Sequence, residues 1–401
     1  MVAQEMRPES IMVVPEPPSP RPNANLIVGF TAELACAPLV VAAELGLWSH
    51  SGLSVQLRRE LGVAGLRDRL LDGSLQAAQV PCGLPLALLA ASVPHAESPP
   101  LVAGSILSRG GQALVLSKAI WPSEIPMAGI SGHLLRSGRK RVVTLGMASR
   151  HSAQAAMVQE WMPTAGLSPE QVHLAVIPPS QLDAHLLAGN IDGFCAGPLA
   201  ASGSVMQGHG RVAAFSLQNR TPTSFLPPDT VLTLQSVWAR RFPKQCQSLL
   251  SGLVEACRFC DEPANRLQVA ECLSQGHYLR VPVARILRAW NPLTGHGEAH
   301  EAANEVSSET SIVFHQEEGP RPTAAQGRWI LDHALETEER SRLPASALDA
   351  VFRMDLGEPE TQKPSRSAIP SAAGGAYKPQ TPTTRGADAT QPSQFCVTPL
   401  K

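Results

Sequence analysis

Apolar positions along this chain fall into two rhythms, and their alternation predicts its elements. The run Val142-Val143-Thr144-Leu145 reads as a strand, and the polar turn Ala148 to His151 leads from it into a helical run, Ser152 to Met162. The pattern then repeats. Val172 to Ile177 is strand-like, Pro178-Pro179-Ser180 a loop, Gln181 to Ala188 helical, and Ile191 to Ala196 a strand. Strands alternating with helices of this length indicate βαβ units and a parallel sheet. Ligands of such sheets bind beyond the carboxyl ends of the strands. The turn at His151 and the strand end at Gly197 therefore mark the candidate site.

The flanking chain follows the same grammar. Leu26 to Phe30 reads as a strand with Thr31 to Ala37 as its exit loop. Pro38 opens a helix that Gly46 ends, since Pro suits a first helical turn and Gly a helix terminus. Leu53 to Leu57 alternates as a half-buried strand does. Val63 to Leu71 and Leu84 to Ala91 read as helices, and Gln76 to Val80, Leu101 to Leu107 and Gln112 to Ser117 as strands. Residues 120 to 140 form a Pro/Gly-broken connection. Arg211 to Ser216 and Thr230 to Leu234 are further strands, separated by a Pro-rich loop. Phe242 to Asp261 places Cys246, Leu249, Leu250, Leu253, Val254 and Cys257 on one helical face. Helices follow at 265–274, 282–290 and 323–335, with a polar insertion at 291–310. Segments 1–24 and 357–401 are Pro-rich and aperiodic, and are expected to be disordered. The expectation is two α/β lobes: 25–117 with 230–356 as the first, 118–229 as the second. The chain crosses twice, near Ser117 and near Thr230, and a cleft lies between the lobes.

Composition changes this picture little. The chain has 401 residues, a formal net charge of -1, 43% hydrophobic and 4% aromatic residues. Nothing global favours direct contact with nucleic acid or an anionic membrane, and few aromatics are present for stacking on bases. No apolar run reaches the roughly 18 residues of a transmembrane helix. The only apolar run of the N-terminus, Ile11 to Val14, is too short for a signal-peptide core, so a cytoplasmic location is expected. The eight cysteines are widely spread and suit a reducing compartment as small buried hydrophobes.

Candidate chemistry is sparse. Cys257 and Cys260 have CxxC spacing, but they lie inside an amphipathic helix and no second CxxC follows, so no metal site is assigned. The glycines at 110–111 and 129–138 match neither nucleotide-binding pattern, and no nucleophile elbow occurs. No cofactor and no catalysis are expected. His151 stands where a strand turns into a helix, a place whose free N–H groups and dipole favour an anion. It reads either as an anion contact or as a turn residue capping the helix. Gln112 reads either as a ligand amide or as a strand-edge residue.

From about Leu26 to Leu356 the chain resembles the nitrate/bicarbonate branch of ABC-transporter substrate-binding proteins, and within it the cytosolic nitrate/nitrite sensors. The residues that carry the resemblance are Val28-Gly29-Phe30, Ala37 to Ala42, Glu44-Leu45-Gly46, Leu66 to Leu70, Pro178 to Leu182, Pro263 to Arg266 and, most specifically, Ala188 to Gly197. The resemblance implies a two-lobe type II periplasmic-binding-protein fold with two interlobe crossings, holding a small oxyanion between the lobes. It implies Gln112, His151 and Gly197 as ligand-binding residues, and nitrate or nitrite as ligand. As partner it implies an RNA-binding antiterminator of the ANTAR response-regulator type, held until the anion arrives. The alternative implied role is the solute-binding part of an ABC importer. An enzyme of the related thiamine-pyrimidine group would need a nucleophile near the cleft, where Cys195 is the one cysteine close in sequence. Three positions depart from the family pattern: Val63 stands for a Trp, Thr230 for a Lys, and Gly197-Pro198-Leu199 lacks the family's acid and aromatic. Losing a Lys removes a charge-assisted hydrogen bond to the anion, worth about 1.5–3 kcal/mol.

Overall fold

The computed structural model describes residues 26–92, 98–136, 142–216, 225–291, 311–315, 319–353 and 355–356. The expected disordered ends and most of the polar insertion at 291–310 lie outside them. The strands in chain order are β1 (Leu26–Thr31), β2 (Val55–Glu60), β3 (Ala77–Pro81), β4 (Leu101–Gly110), β5 (Ala113–Ser117), β6 (Val143–Met147), β7 (Val172–Val176), β8 (Gly193–Ala196), β9 (Gly210–Phe215), β10 (Pro228–Gln235) and β11 (Ile312–Val313). They form two sheets, ordered β11-β4-β10-β3-β1-β2 and β7-β6-β8-β5-β9.

In the first sheet β1 lies parallel to both β2 and β3, with Val28 opposite Leu57 on one side and Ala77 on the other. A strand flanked by parallel neighbours is covered on both faces, which is why β1 reads as an apolar run while the edge strand β2 alternates. Gly29 lets the helix Val63–Leu71 close on β1: a Cβ there would meet Leu75 Cδ1 at 2.5 Å and Leu66 Cδ2 at 2.6 Å. The long helix Pro243–Asp261 packs its apolar stripe against Ala37–Glu44. Trp48 ties the two by donating its indole N–H to the Leu249 carbonyl at 2.9 Å. The opposite face of the sheet is closed by Leu84–Ser92 together with Ala324–His333, Thr337–Arg342 and Ala347–Val351. Thr323 starts the first of these C-terminal helices with a reciprocal capping box to Gln326.

The second sheet repeats the plan, with β6 parallel to β7 and β8, and β5 antiparallel to β8 and β9. The first crossing falls at Gly110 to Gln112 and not near Ser117. Strand β5 belongs to the second sheet, because two successive left-handed glycines, Gly110 at φ 66° and Gly111 at φ 81°, turn the chain out of β4 before β5 begins. The second crossing lies between Phe215 and Pro228, after which β10 enters the middle of the first sheet, antiparallel to β3 and β4. Among the described residues, helical stretches that escape the sequence reading include Ile130–Arg136, Pro198–Met206, Ser236–Arg241 and the pair at 337–351. Each is short, and the first two carry glycine or serine inside the helix, which blurs the apolar period.

Candidate functional site

The carboxyl end of β1 runs into the loop that carries Glu33, whose backbone is extended and precedes the turn Leu34–Cys36. Thr31 at the strand end donates its hydroxyl to Glu33 Oε2 at 3.3 Å. Beside it, β3 holds Gln79 1% exposed, with neither amide atom paired. The start of β10 supplies Asp229 and Thr230. Ser108 on β4 donates to Asp229 Oδ2 at 3.3 Å, and its oxygen lies 2.8 Å from Thr230 Oγ1. From the second lobe come Ala148, Ser152 and Gln154, where β6 turns into the helix Ala153–Trp161. Gln154 Oε1 accepts the Ala148 N–H at 2.9 Å and so fixes that turn. Thr31, Glu33, Val63, Gln79, Asp229 and Thr230 from the first lobe, with Ala148, Ser152 and Gln154 from the second, line a small cavity that opens to solvent.

The electrostatics of this space are unusual for an anion site. Burial pushes Glu33 up to about 7, against the pull of its Thr31 hydrogen bond; the side chain is part-buried and lines the cavity. Asp229 is raised well above the carboxylate range, first by burial and then by the charge of Glu33, while Ser108 and Gln112 hydrogen bonds pull the other way. No Lys, Arg or His stands among the lining residues. Arg109, buried on β4, turns its guanidinium to the carbonyls of Phe314 and Gly319 at 3.4 and 2.9 Å. A carboxyl kept protonated in this way becomes an O–H donor, and the Gln79 amide offers both a donor and an acceptor. Among the described residues no group of three or more His, Cys, Asp or Glu is arranged to hold a metal. Cys195 is fully buried and burial pushes its thiol up, so it is poorly suited to act as a nucleophile.

The three sequence-derived site residues take different places. Gln112 is 2% exposed at the crossing, and its side chain hydrogen-bonds Asp229. Its backbone N–H donates to Ser216 Oγ at 3.0 Å. Gly197 precedes the helix Pro198–Met206, and a Cβ there would stand 3.4 Å from Glu33 Oε1, so the two lobes approach closely at this point. His151 does not line the cavity. Its ring Nε2 sits 2.9 Å from Glu339 Oε1, and its carbonyl accepts the Gly83 N–H at 3.0 Å. Its neighbours Ala148 and Ser152 line the space instead. Val63 and Thr230, the two departures from the family pattern, are both in the lining.

Sequence reasoning missed Glu33, Gln79 and Asp229. Gln79 left a signal, as the one polar residue in the wholly buried strand Ala77–Pro81. Glu33 and Asp229 left none, since an acid in a loop or at a strand start is ordinary.

Comparison with known proteins bears on this geometry. Residues 19–274 match the NMT1-like family. The chain is 33% identical over 282 residues, 68% of its length, to a protein named bicarbonate transport ATP-binding protein CmpC of Synechocystis, of which it spans 42%. It is 24% identical over 347 residues to the nitrate/nitrite binding protein NrtA of Synechococcus elongatus, covering 83% of this chain and 76% of that one. The crystal structure of the periplasmic nitrate-binding protein NrtA from Synechocystis superposes with a TM-score of 0.70 at 20% identity, covering 83% of this chain and 86% of that one. The chain spans less than half the length of the first curated relatives it matches. The fold is the two-lobe type II periplasmic-binding-protein fold. With a match that spans well over half of its length, the chain belongs to the NMT1-like family.

Proposed function

We propose that this protein binds a small planar oxyanion, nitrate, nitrite or bicarbonate, in the cleft between its lobes and performs no chemistry on it. The observation that carries the reading is Gln79: a buried amide with both polar atoms unpaired, lining a cavity built by both lobes. Buried polar groups are paired in nearly all native structures, so an unpaired amide in a cavity marks the place of a ligand. Relatives named for nitrate and bicarbonate support the ligand class. Equilibrium dialysis against each anion tests it. Saturable binding of one anion per chain supports the reading, and no retention of any of the three refutes it.

We further propose that the clamp serves a cytosolic sensor. An anion that contacts both lobes only when they close favours the closed form. A partner that prefers the open form is then displaced by no more than the anion's differential affinity. By likeness to the cytosolic nitrate/nitrite sensors, that partner is an RNA-binding antiterminator of the ANTAR type. A pull-down across a nitrate titration tests this, and a complex that ignores saturating anion refutes it. The relatives named for nitrate and bicarbonate import favour a second reading, the solute-binding part of an ABC importer. Cell fractionation separates the two: a cytosolic chain supports the sensor, an exported one the importer.

A further inference from the structure

We propose that the Glu33–Asp229 pair makes anion binding proton-coupled: the cleft takes up its oxyanion together with one proton, which the pair holds as an O–H donating to a ligand oxygen. The inference rests on the oxyanion reading above and adds how a site without a cation accepts a negative charge. Two carboxyls converge on one cavity, Glu33 from the exit loop of β1 and Asp229 from the start of β10, and each raises the cost of ionising the other. Glu33 Oε1 faces Gly197 across the lobes, while Thr31 occupies its other oxygen. Gln79 is the independent sign of a ligand in the same space, being fully buried and unpaired at both amide atoms.

The groups around the pair supply no compensating charge. The nearby thiols Cys36, Cys82 and Cys195 are all held neutral by burial. No cation is among the groups that shift either carboxyl; Arg109 turns its Nη atoms to the carbonyls of Phe314 and Gly319, and His151 Nε2 lies beside Glu339. An anion entering beside an ionised Glu33 would meet like charge, whereas beside a protonated Glu33 it meets a donor. Binding therefore raises the proton affinity of the pair. The proton comes from solvent, and affinity falls as pH rises through and above the Glu33 range near 7. For one coupled proton the limit is about tenfold per pH unit.

Calorimetry of the full chain with sodium nitrate, which brings no proton of its own, tests this between pH 6 and 9 in buffers of contrasting ionisation enthalpy. The expected result is an uptake that approaches one proton at pH 8 to 9, with affinity dropping toward tenfold per unit. Glu33→Gln, which carries a permanent N–H donor, is expected to bind with a flatter pH profile and less uptake than wild type, and Glu33→Gln with Asp229→Asn with neither pH dependence nor uptake. If these variants fail to fold, the wild-type uptake alone decides. Nitrate binding with a flat profile and no uptake overturns the proposal, as does binding of bicarbonate alone without uptake, because the ligand would then bring its own donor. Binding of none of nitrate, nitrite and bicarbonate at any pH refutes the oxyanion reading itself.

Discussion

His151 Nε2 lies 2.9 Å from Glu339 Oε1, and the neighbouring Arg150 Nη1 lies 3.7 Å from Glu336 Oε1. The turn that begins the helix Ala153–Trp161 of the second lobe is thereby held to the start of Thr337–Arg342, which packs on the first lobe. The acidic groups cap the N-terminal turn of that C-terminal helix, with Glu336 and Glu339 forming a capping box. The basic side chains bridge from it to the edge of the cleft.

This placement makes His151 a tie between lobes. The pair is about a quarter exposed on each side, so its worth is about 0–1 kcal/mol. His151→Ala is expected to lower stability by that amount, Glu339→Ala by more because it also removes the capping-box bond to the Glu336 N–H, and the double variant by no more than Glu339→Ala alone. Chemical denaturation of the three variants measures it. Nitrate affinity should change less than tenfold in His151→Ala. A loss beyond tenfold would return the ring to the ligand.

Gln79→Leu separates binding from stability. Replacing an unpaired buried amide by an apolar side chain of similar volume removes a desolvation cost of about 1–3 kcal/mol. The empty protein should melt higher than wild type, while anion binding falls at least tenfold. A variant that melts lower and binds normally would show that the amide is paired in solution.

The acid pair also sets the pH dependence of folding. Glu33 titrates near 4.5 when unfolded and about 7 when folded, so the native state holds the extra proton between those values. Stability therefore falls as pH rises through this window and flattens above it for Glu33, while Asp229 extends the fall to higher pH. The Tm of the anion-free chain is expected to be a few degrees higher at pH 5.5 than at pH 8. Glu33→Gln with Asp229→Asn should remove most of that difference.

Much of the fold is legible in the sequence because parallel strands covered on both faces appear as continuous apolar runs, as at Leu26–Thr31 and Val143–Met147. The sheet to which a strand belongs is not. Nothing in Ala113-Leu114-Val115-Leu116 says that it pairs with β8 and β9 and not with β4, because pairing is decided by the turn at Gly110–Gly111. The edge of the candidate cavity lies near the turn read from the sequence, since Ala148 and Ser152 line it and flank His151. Its chemistry was not, because Glu33, Gln79 and Asp229 are about 45 to 200 residues apart in the chain and only β1, β3 and β10 bring them together.

Thr230→Lys asks what the missing cation is worth. Thr230 lines the cavity, and an ammonium there would supply the charge-assisted hydrogen bond that the site lacks, about 1.5–3 kcal/mol. Nitrate should bind roughly 10- to 100-fold more tightly, with a weaker dependence on pH as Glu33 and Asp229 shift down beside the new charge. Unchanged affinity would place the anion away from β10.

The central claim is that the anion sits between Gln79, Glu33 and Asp229. A crystal structure of the full chain grown in saturating sodium nitrate tests it most directly. The account predicts a planar anion within hydrogen-bond distance of the Gln79 amide, touched by groups from both lobes. A nitrate found beside His151 with this space empty, or no ordered nitrate at all, would contradict it.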